Sequence, residues 1–196
     1  MSNGIKVKKR NSRGMEPLDL EKMHIMVEEA CKGLSGVSAS QVEMQSGIQF
    51  YDGITTSEIQ EILIKSASDL IDLDHPNYQY VASRLLLFAL RKSLYRRRHK
   101  HPKLINHIQE KAYKDVYDKE IFDKYSKEEI EKVDGYIDHD RDFLFTYAGL
   151  RQVVDKYLVQ DRSTGEIYET PQFMYIMIAL TIFQDYPKET RLNYVR

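Results

Sequence analysis

Near its N-terminus the sequence gathers cations in a pattern that suits an anionic ligand. Lys8, Lys9 and Arg10 lie in or beside a short extended stretch, next to a turn. Lys22 falls in the first turn of the helix expected to follow. A cation is unfavourable there because the helix dipole is positive at its N-terminus, so Lys22 needs an offsetting anion. A triphosphate would supply one, and the free N–H groups of a helix N-terminus can donate to its oxygens. Thr56, at the start of a later helix, adds a hydroxyl, and Lys92 a further positive charge. Glu16 and Asp19 suit a phosphate poorly, but they can accept hydrogen bonds from an adenine amino group or a ribose hydroxyl. Plainer roles stand beside these: solvated lysines flanking a hairpin, Asp19 as a helix cap, Glu16 as a solvated strand residue.

Other constellations carry less chemistry. Asp138, His139, Asp140 and Asp142 sit too close together on one helical stretch to face a single ion, so capping and local ion pairs are expected there and no metal site. Gly165-Glu166 is turn chemistry, too short for a phosphate loop. The single cysteine, Cys31, excludes an internal disulfide and a zinc site built on several thiolates, which points to an intracellular, cytoplasmic setting. It falls on the apolar stripe of a helix, where a thiol acts as a small hydrophobe. The run Arg96-Arg97-Arg98-His99-Lys100, with Lys103, raises the question of nucleic acid. Aromatic stacking platforms are missing and acids are close by, so no nucleic-acid partner is expected. A net charge of −1 also argues against bulk attraction to nucleic acid or anionic membrane. No apolar run approaches the roughly 20 residues a bilayer requires, and Met1 to Arg13 lacks the apolar core of a secretory signal.

These residues need elements to position them. Ile5-Lys6-Val7-Lys8 and Met15-Glu16-Pro17-Leu18, separated by Asn11-Ser12-Arg13-Gly14, read as a small hairpin. Asp19 then caps a helix through Met23, Met26, Val27, Ala30, Cys31 and Leu34, which ends at Gly33 and Gly36. Ser40 with Glu43, and Thr55 with Glu58, have capping-box spacing. The helix after Thr56 carries the stripe Ile59, Ile62, Leu63, Ala67, Leu70, Ile71. After the break at His75-Pro76-Asn77 a long helix follows through Val81, Leu85, Phe88, Ala89 and Tyr95. A boundary is expected at the basic run. Beyond it come further amphipathic helices, a second hairpin (Tyr157-Leu158-Val159 and Glu166-Ile167-Tyr168), and an apolar helix opened by Pro171. The fold class is mainly α.

Four segments in this order resemble the ATP cone of ribonucleotide reductases: Val7 to Arg10, Glu16 to Lys22, Tyr51 to Thr56, and Asn77 to Arg84. That resemblance implies a hairpin lid over a small helical bundle at residues 5–96. Lys9, Arg10, Glu16, Pro17, Leu18, Asp19, Leu20, Glu21, Lys22, Thr56 and Lys92 would line a site for ATP or dATP as allosteric effector, with magnesium on the phosphates. Departures from the family pattern are a hairpin turn one residue longer, Asp19 in place of the usual asparagine, and Gln60 and Ala89 where histidines often occur. They raise the alternative of a degenerate cone kept as a structural or interaction module.

In the second half, Ile137 to Asp142, Tyr157 to Val159, Thr164 to Phe173 and Tyr186 to Leu192 resemble the class I large subunit. The zinc ribbon that accompanies a cone in a repressor of reductase genes needs four metal ligands, typically cysteines, and one Cys cannot provide them. The implied reading is the regulatory N-terminal part of ribonucleoside-diphosphate reductase, the enzyme that makes deoxyribonucleotides for DNA synthesis, with residues 97–196 as the helical region before the catalytic barrel. The implied partners are the barrel-bearing remainder of the large subunit, further copies of that subunit, and the small radical-generating subunit. The family's chemistry requires a thiyl-radical cysteine and a redox cysteine pair, so this stretch alone is expected to be inactive.

Overall fold

The computed structural model describes residues 5–9 and 14–196. Its contacts divide it into two units: residues up to Ala89 together with Phe143–Arg151, and Leu90–Asp142 together with Gln152–Arg196. The division falls inside a helix, several residues before the basic run at which the sequence places its boundary.

The first unit opens with strands β1 (Lys6–Lys8) and β2 (Met15–Pro17), paired antiparallel with Val7 opposite Glu16. The expected turn residues Asn11, Ser12 and Arg13 lie outside the described residues, as does Arg10. Helices α1 (Leu20–Cys31), α2 (Ala39–Gly47), α3 (Thr56–Asp69) and α4 (Tyr78–Tyr95) follow, α4 continuing into the second unit. Val7 is the strand residue that points inward, and Val27, Ala30, Val42, Ile54, Leu63, Ala67, Val81 and Leu85 make the core with it. Burying a Val, Leu or Ile side chain contributes about 1.5–3 kcal/mol, which is what holds helices this short in place.

Two local expectations meet different outcomes here. Thr55 and Glu58 form a complete capping box at the start of α3. At α2 the cap is Ser38 rather than Ser40. The hydroxyl of Tyr78 accepts from the Ser38 N–H at 3.0 Å, fixing the helix start two residues early, and Glu43 is engaged by His24 at 2.8 Å instead of reaching back to a cap.

The second unit contains α5 (Leu104–Tyr113), α6 (Ile121–Lys124), α7 (Lys127–Asp134), α9 (Pro171–Phe183) and α10 (Lys188–Val195). Between α7 and α9 the chain passes through a 3-10 segment (His139–Leu144), α8 (Tyr147–Gln152) and a π-helical turn (Val153–Tyr157), of which Phe143–Arg151 belongs to the first unit. The second unit's core joins Leu104, Ile108, Tyr125, Ile130, Val133, Phe173, Leu180 and Leu192. The second hairpin is reduced to one antiparallel bridge, Gln160 with Ile167. Asp161 accounts for this, because its carboxylate takes the N–H groups of Ser163 and Thr164 and closes a tight turn, and the π-helical turn runs on to Tyr157. No described helix is long and apolar enough to cross a membrane.

Candidate functional site

Backbone bonds in the first unit set the places of Lys9, Glu16, Asp19, Lys22 and Thr56. Strand β1 is stitched to the loop before α3: the Lys6 N–H donates to Asp52 Oδ1 at 2.8 Å, Gly53 N–H to the Lys6 carbonyl at 2.9 Å, and Lys8 N–H to the Ile54 carbonyl at 2.9 Å. Gly53 adopts φ 88°, a left-handed conformation that glycine enters without strain. Lys8 and Thr55 form a parallel bridge, so the next residues along, Lys9 and Thr56, emerge at the same end. Strand β2 is tied down by the Leu18 N–H donating to the Ile5 carbonyl at 2.8 Å, which leads the chain directly into Asp19 and α1.

Four charges of the hairpin and the start of α1 form two ion pairs. Lys9 pairs with Glu16 across the hairpin. Asp19 caps α1 by accepting from the Lys22 N–H at 3.0 Å through Oδ1, and its Oδ2 lies 2.6 Å from Lys22 Nζ. The Lys22 ammonium holds the Asp19 carboxyl below the usual carboxylate range, and Asp19, with Glu16 further off, raises the lysine. All four side chains are open to solvent. The offsetting anion that the dipole demands of Lys22 is therefore already present as Asp19, three residues before it. Exposed pairs of this kind are worth little and rearrange readily, so a polyanion can exchange for either carboxylate.

Pro17, Leu18, Leu20 and Glu21 face elsewhere. With Ile5, Met23, His24, Glu43, Gly47 and Phe50 they line a largely apolar cleft of about 690 Å³, and Lys9, Lys22 and Thr56 are not part of its lining. Sequence reasoning missed this cleft. The signal lay in Leu18 and Leu20, two apolar residues flanking a helix cap outside the helix's core stripe. Lys92 sits on the last turn of α4, in the second unit. Gln60 is on α3, its Nε2 buried without a hydrogen-bond partner among the described residues, and Ala89 is the last residue of the first unit before the division. The Cys31 thiol is half-buried and pushed up to about 11 by that burial, which makes it a poor nucleophile.

No three His, Cys, Asp or Glu side chains among the described residues converge on a point where a metal ion could sit. Of the acidic cluster near residue 140, Asp142 is fully buried and bonded to Arg91 and Gln172, while Asp138 accepts from the Asp140 N–H at 3.0 Å. In the basic run, Arg96 takes a left-handed turn at φ 57° and Arg96, Arg97, Lys100 and Lys103 are exposed.

Comparison with known proteins accords with this layout. Residues 5–93 match the model of the ATP cone domain, and residues 143–196 that of the ribonucleotide reductase all-alpha domain. Over all 196 residues the chain is 47% identical to the ribonucleoside-diphosphate reductase subunit alpha of Haemophilus influenzae and to the ribonucleoside-diphosphate reductase 1 subunit alpha of Escherichia coli, covering 26% of each. The subunit alpha of Enterobacteria phage T4 is 44% identical over 162 residues, 82% of this chain and 21% of the relative. The chain thus spans about a quarter of the length of the relatives it matches. It is an ATP cone followed by all-alpha sequence of the ribonucleotide reductase type, similar along its whole length to the N-terminal part of ribonucleoside-diphosphate reductase alpha subunits.

Proposed function

We propose that this chain is the allosteric, nucleotide-binding segment of a ribonucleoside-diphosphate reductase, responding to ATP as activator and dATP as inhibitor. Residues 5–96 would act as the effector domain and 97–196 as the helical region that joins it to the catalytic barrel. What supports this reading is that Lys9 and Thr56 directly follow the bridged pair Lys8 and Thr55, and that Lys9 and Lys22 hold ion pairs exposed enough to change partners.

The charges fit a triphosphate that arrives with its own magnesium. Lys9, Glu16, Asp19 and Lys22 sum to zero, so the site attracts a partly neutralised polyphosphate better than a bare one. Lys9 and Lys22 would hold phosphate oxygens, the first N–H groups of α1 and α3 would add donors, and the Thr56 hydroxyl would complete them. The family resemblance alone adds Arg10 and Lys92 to this set. Glu16 and Asp19, once released from the lysines, would accept from the base or sugar, while Pro17, Leu18, Leu20 and Glu21 line the separate apolar cleft.

Control of the enzyme would be a population shift. Each nucleotide works only through its different affinity for two assemblies, formed with further copies of the large subunit and with the small radical-generating subunit. With one cysteine this stretch cannot supply both a radical thiol and a redox pair, so reduction would take place on the rest of the large subunit, in the cytoplasm. Titration calorimetry with ATP and dATP in magnesium buffer tests the reading: saturable binding of both is expected, and no heat at millimolar nucleotide would refute it.

One observation favours a second reading. Both lysines are already neutralised by neighbouring carboxylates, as in a cone retained only for interaction. In that case Lys9→Ala and Thr56→Ala leave the melting temperature in ATP unchanged, because no ligand stabilisation exists to lose.

A further inference from the structure

Asp19 makes two contacts with one residue. Its Oδ1 takes the Lys22 backbone N–H at 3.0 Å and its Oδ2 the Lys22 ammonium at 2.6 Å. These are the two donors that a phosphate at the start of α1 would use. We propose that Asp19 is a built-in competitor for the phosphate tail, an internal anion that a triphosphate must displace and that sets how tightly the site holds its effector. The proposal rests on the nucleotide-binding reading above.

Three features separate this role from simple capping. An asparagine or serine caps a helix about as well as an aspartate, so the charge is not needed for the fold. The side chain is exposed and its bond to Lys22 Nζ spans i,i+3 on one turn, so the ammonium can swing away without disturbing the core. Glu16 repeats the arrangement on Lys9 and its charge also reaches Lys22, so both cations meet a carboxylate before they meet a ligand. A competitor that carries charge weighs most against the phosphates and least against the base. Its charge also weighs more against a ligand the more negative that ligand is, so a magnesium-neutralised tail displaces it more readily than a bare one.

The test compares the whole chain with Asp19→Asn and Asp19→Ser by titration calorimetry. The probes are ATP with magnesium, ADP with magnesium, and tripolyphosphate, which has neither base nor sugar. Removing one negative charge within about 5 Å of a polyphosphate should tighten ATP about tenfold. Tripolyphosphate should tighten by at least a similar factor, and the preference for ATP over ADP should widen, because the removed charge opposes the longer phosphate tail more. Unchanged affinity, or a loss confined to ATP and ADP while tripolyphosphate stays the same, overturns the proposal; the second result leaves Asp19 only its contact to the base or sugar and no competition with the phosphates. If wild type and both variants bind none of the three, the nucleotide-binding reading falls and this inference with it. Unchanged circular dichroism and melting without ligand are expected for both variants, since each keeps a capping oxygen.

Discussion

Lys9 of the hairpin and Lys22 of α1 make the same kind of bond as the arginines of the second unit, under opposite conditions. Lys9–Glu16 and Lys22–Asp19 stand in water, where an ion pair is weak and its partners exchange. Arg91 and Asp142 are buried to within 1% of their surface, and Arg91 also donates to the His139 carbonyl while Gln172 donates to the second Asp142 oxygen. Arg191, also buried, grips Glu129 through Nε and Nη2, donates to the Lys124 and Gln184 carbonyls, and lies over the Tyr125 ring at 4.1 Å. A buried pair is closed to a ligand and its loss strands a charge, so it fixes structure. An exposed pair fixes little and leaves its cation available. The burial of a cation, more than its sequence neighbours, separates framework from the surface proposed to bind nucleotide.

The sharpest way to break the comparison is Asp142→Ala. It leaves Arg91 buried without its anion and should cost about 3–5 kcal/mol of stability, read as a lower urea midpoint. A loss below about 1 kcal/mol would mean that the pair is no more fixed than the two exposed ones.

Acid provides the next test. His107 is buried against Phe173, with ring centroids 4.3 Å apart, and its Nε2 lies 3.1 Å from the Tyr117 hydroxyl. Burial, assisted by the Lys111 charge, lowers its pKa from 6.5 to about 3. The unfolded chain binds that proton more readily than the folded one, so the contribution is complete above pH 6.5 and is lost as pH falls below it. His101 and His139, stacked at 3.7 Å, are lowered to about 3 and about 4 and act in the same direction. His107→Phe keeps the apolar contact, and Tyr117 keeps its bond to Glu169. The drop in stability between pH 7 and pH 5 should therefore be smaller in this variant by about 2 kcal/mol, and an equal drop would refute the assignment.

A smaller effect is expected of Thr55→Ala. Its hydroxyl accepts from the Glu58 N–H at 3.2 Å, and losing this cap should cost about 1 kcal/mol by thermal unfolding, with no change larger than that of Asp142→Ala. Smallest of all is Lys22→Ala without nucleotide, for which the melting temperature should be unchanged.

The sequence exposed some of this arrangement and hid the rest for identifiable reasons. The hairpin, the Asp19 cap, the Thr55–Glu58 box and the long α4 rest on local spacing, and spacing is visible in a sequence. Ser38 displaced Ser40 as a cap because Tyr78, forty residues away, holds it, and such a contact leaves no local trace. The i,i+3 pairing of Asp19 with Lys22 was legible, yet the dipole argument for an external anion overlooked the internal one. Arg91–Asp142 was hidden for a different reason: its partners lie 51 residues apart, and Asp142 reads locally as one acid in an acidic run.

The central claim is that Lys9 and Lys22, and not cations in general, receive the effector. The direct measurement is the rise in melting temperature on adding ATP with magnesium, compared between Lys9→Ala/Lys22→Ala and Arg96→Ala/Arg97→Ala, each pair removing two exposed cations. The account predicts that the first pair abolishes the rise and the second preserves it. A rise that survives in the first pair, or disappears equally in both, would contradict it.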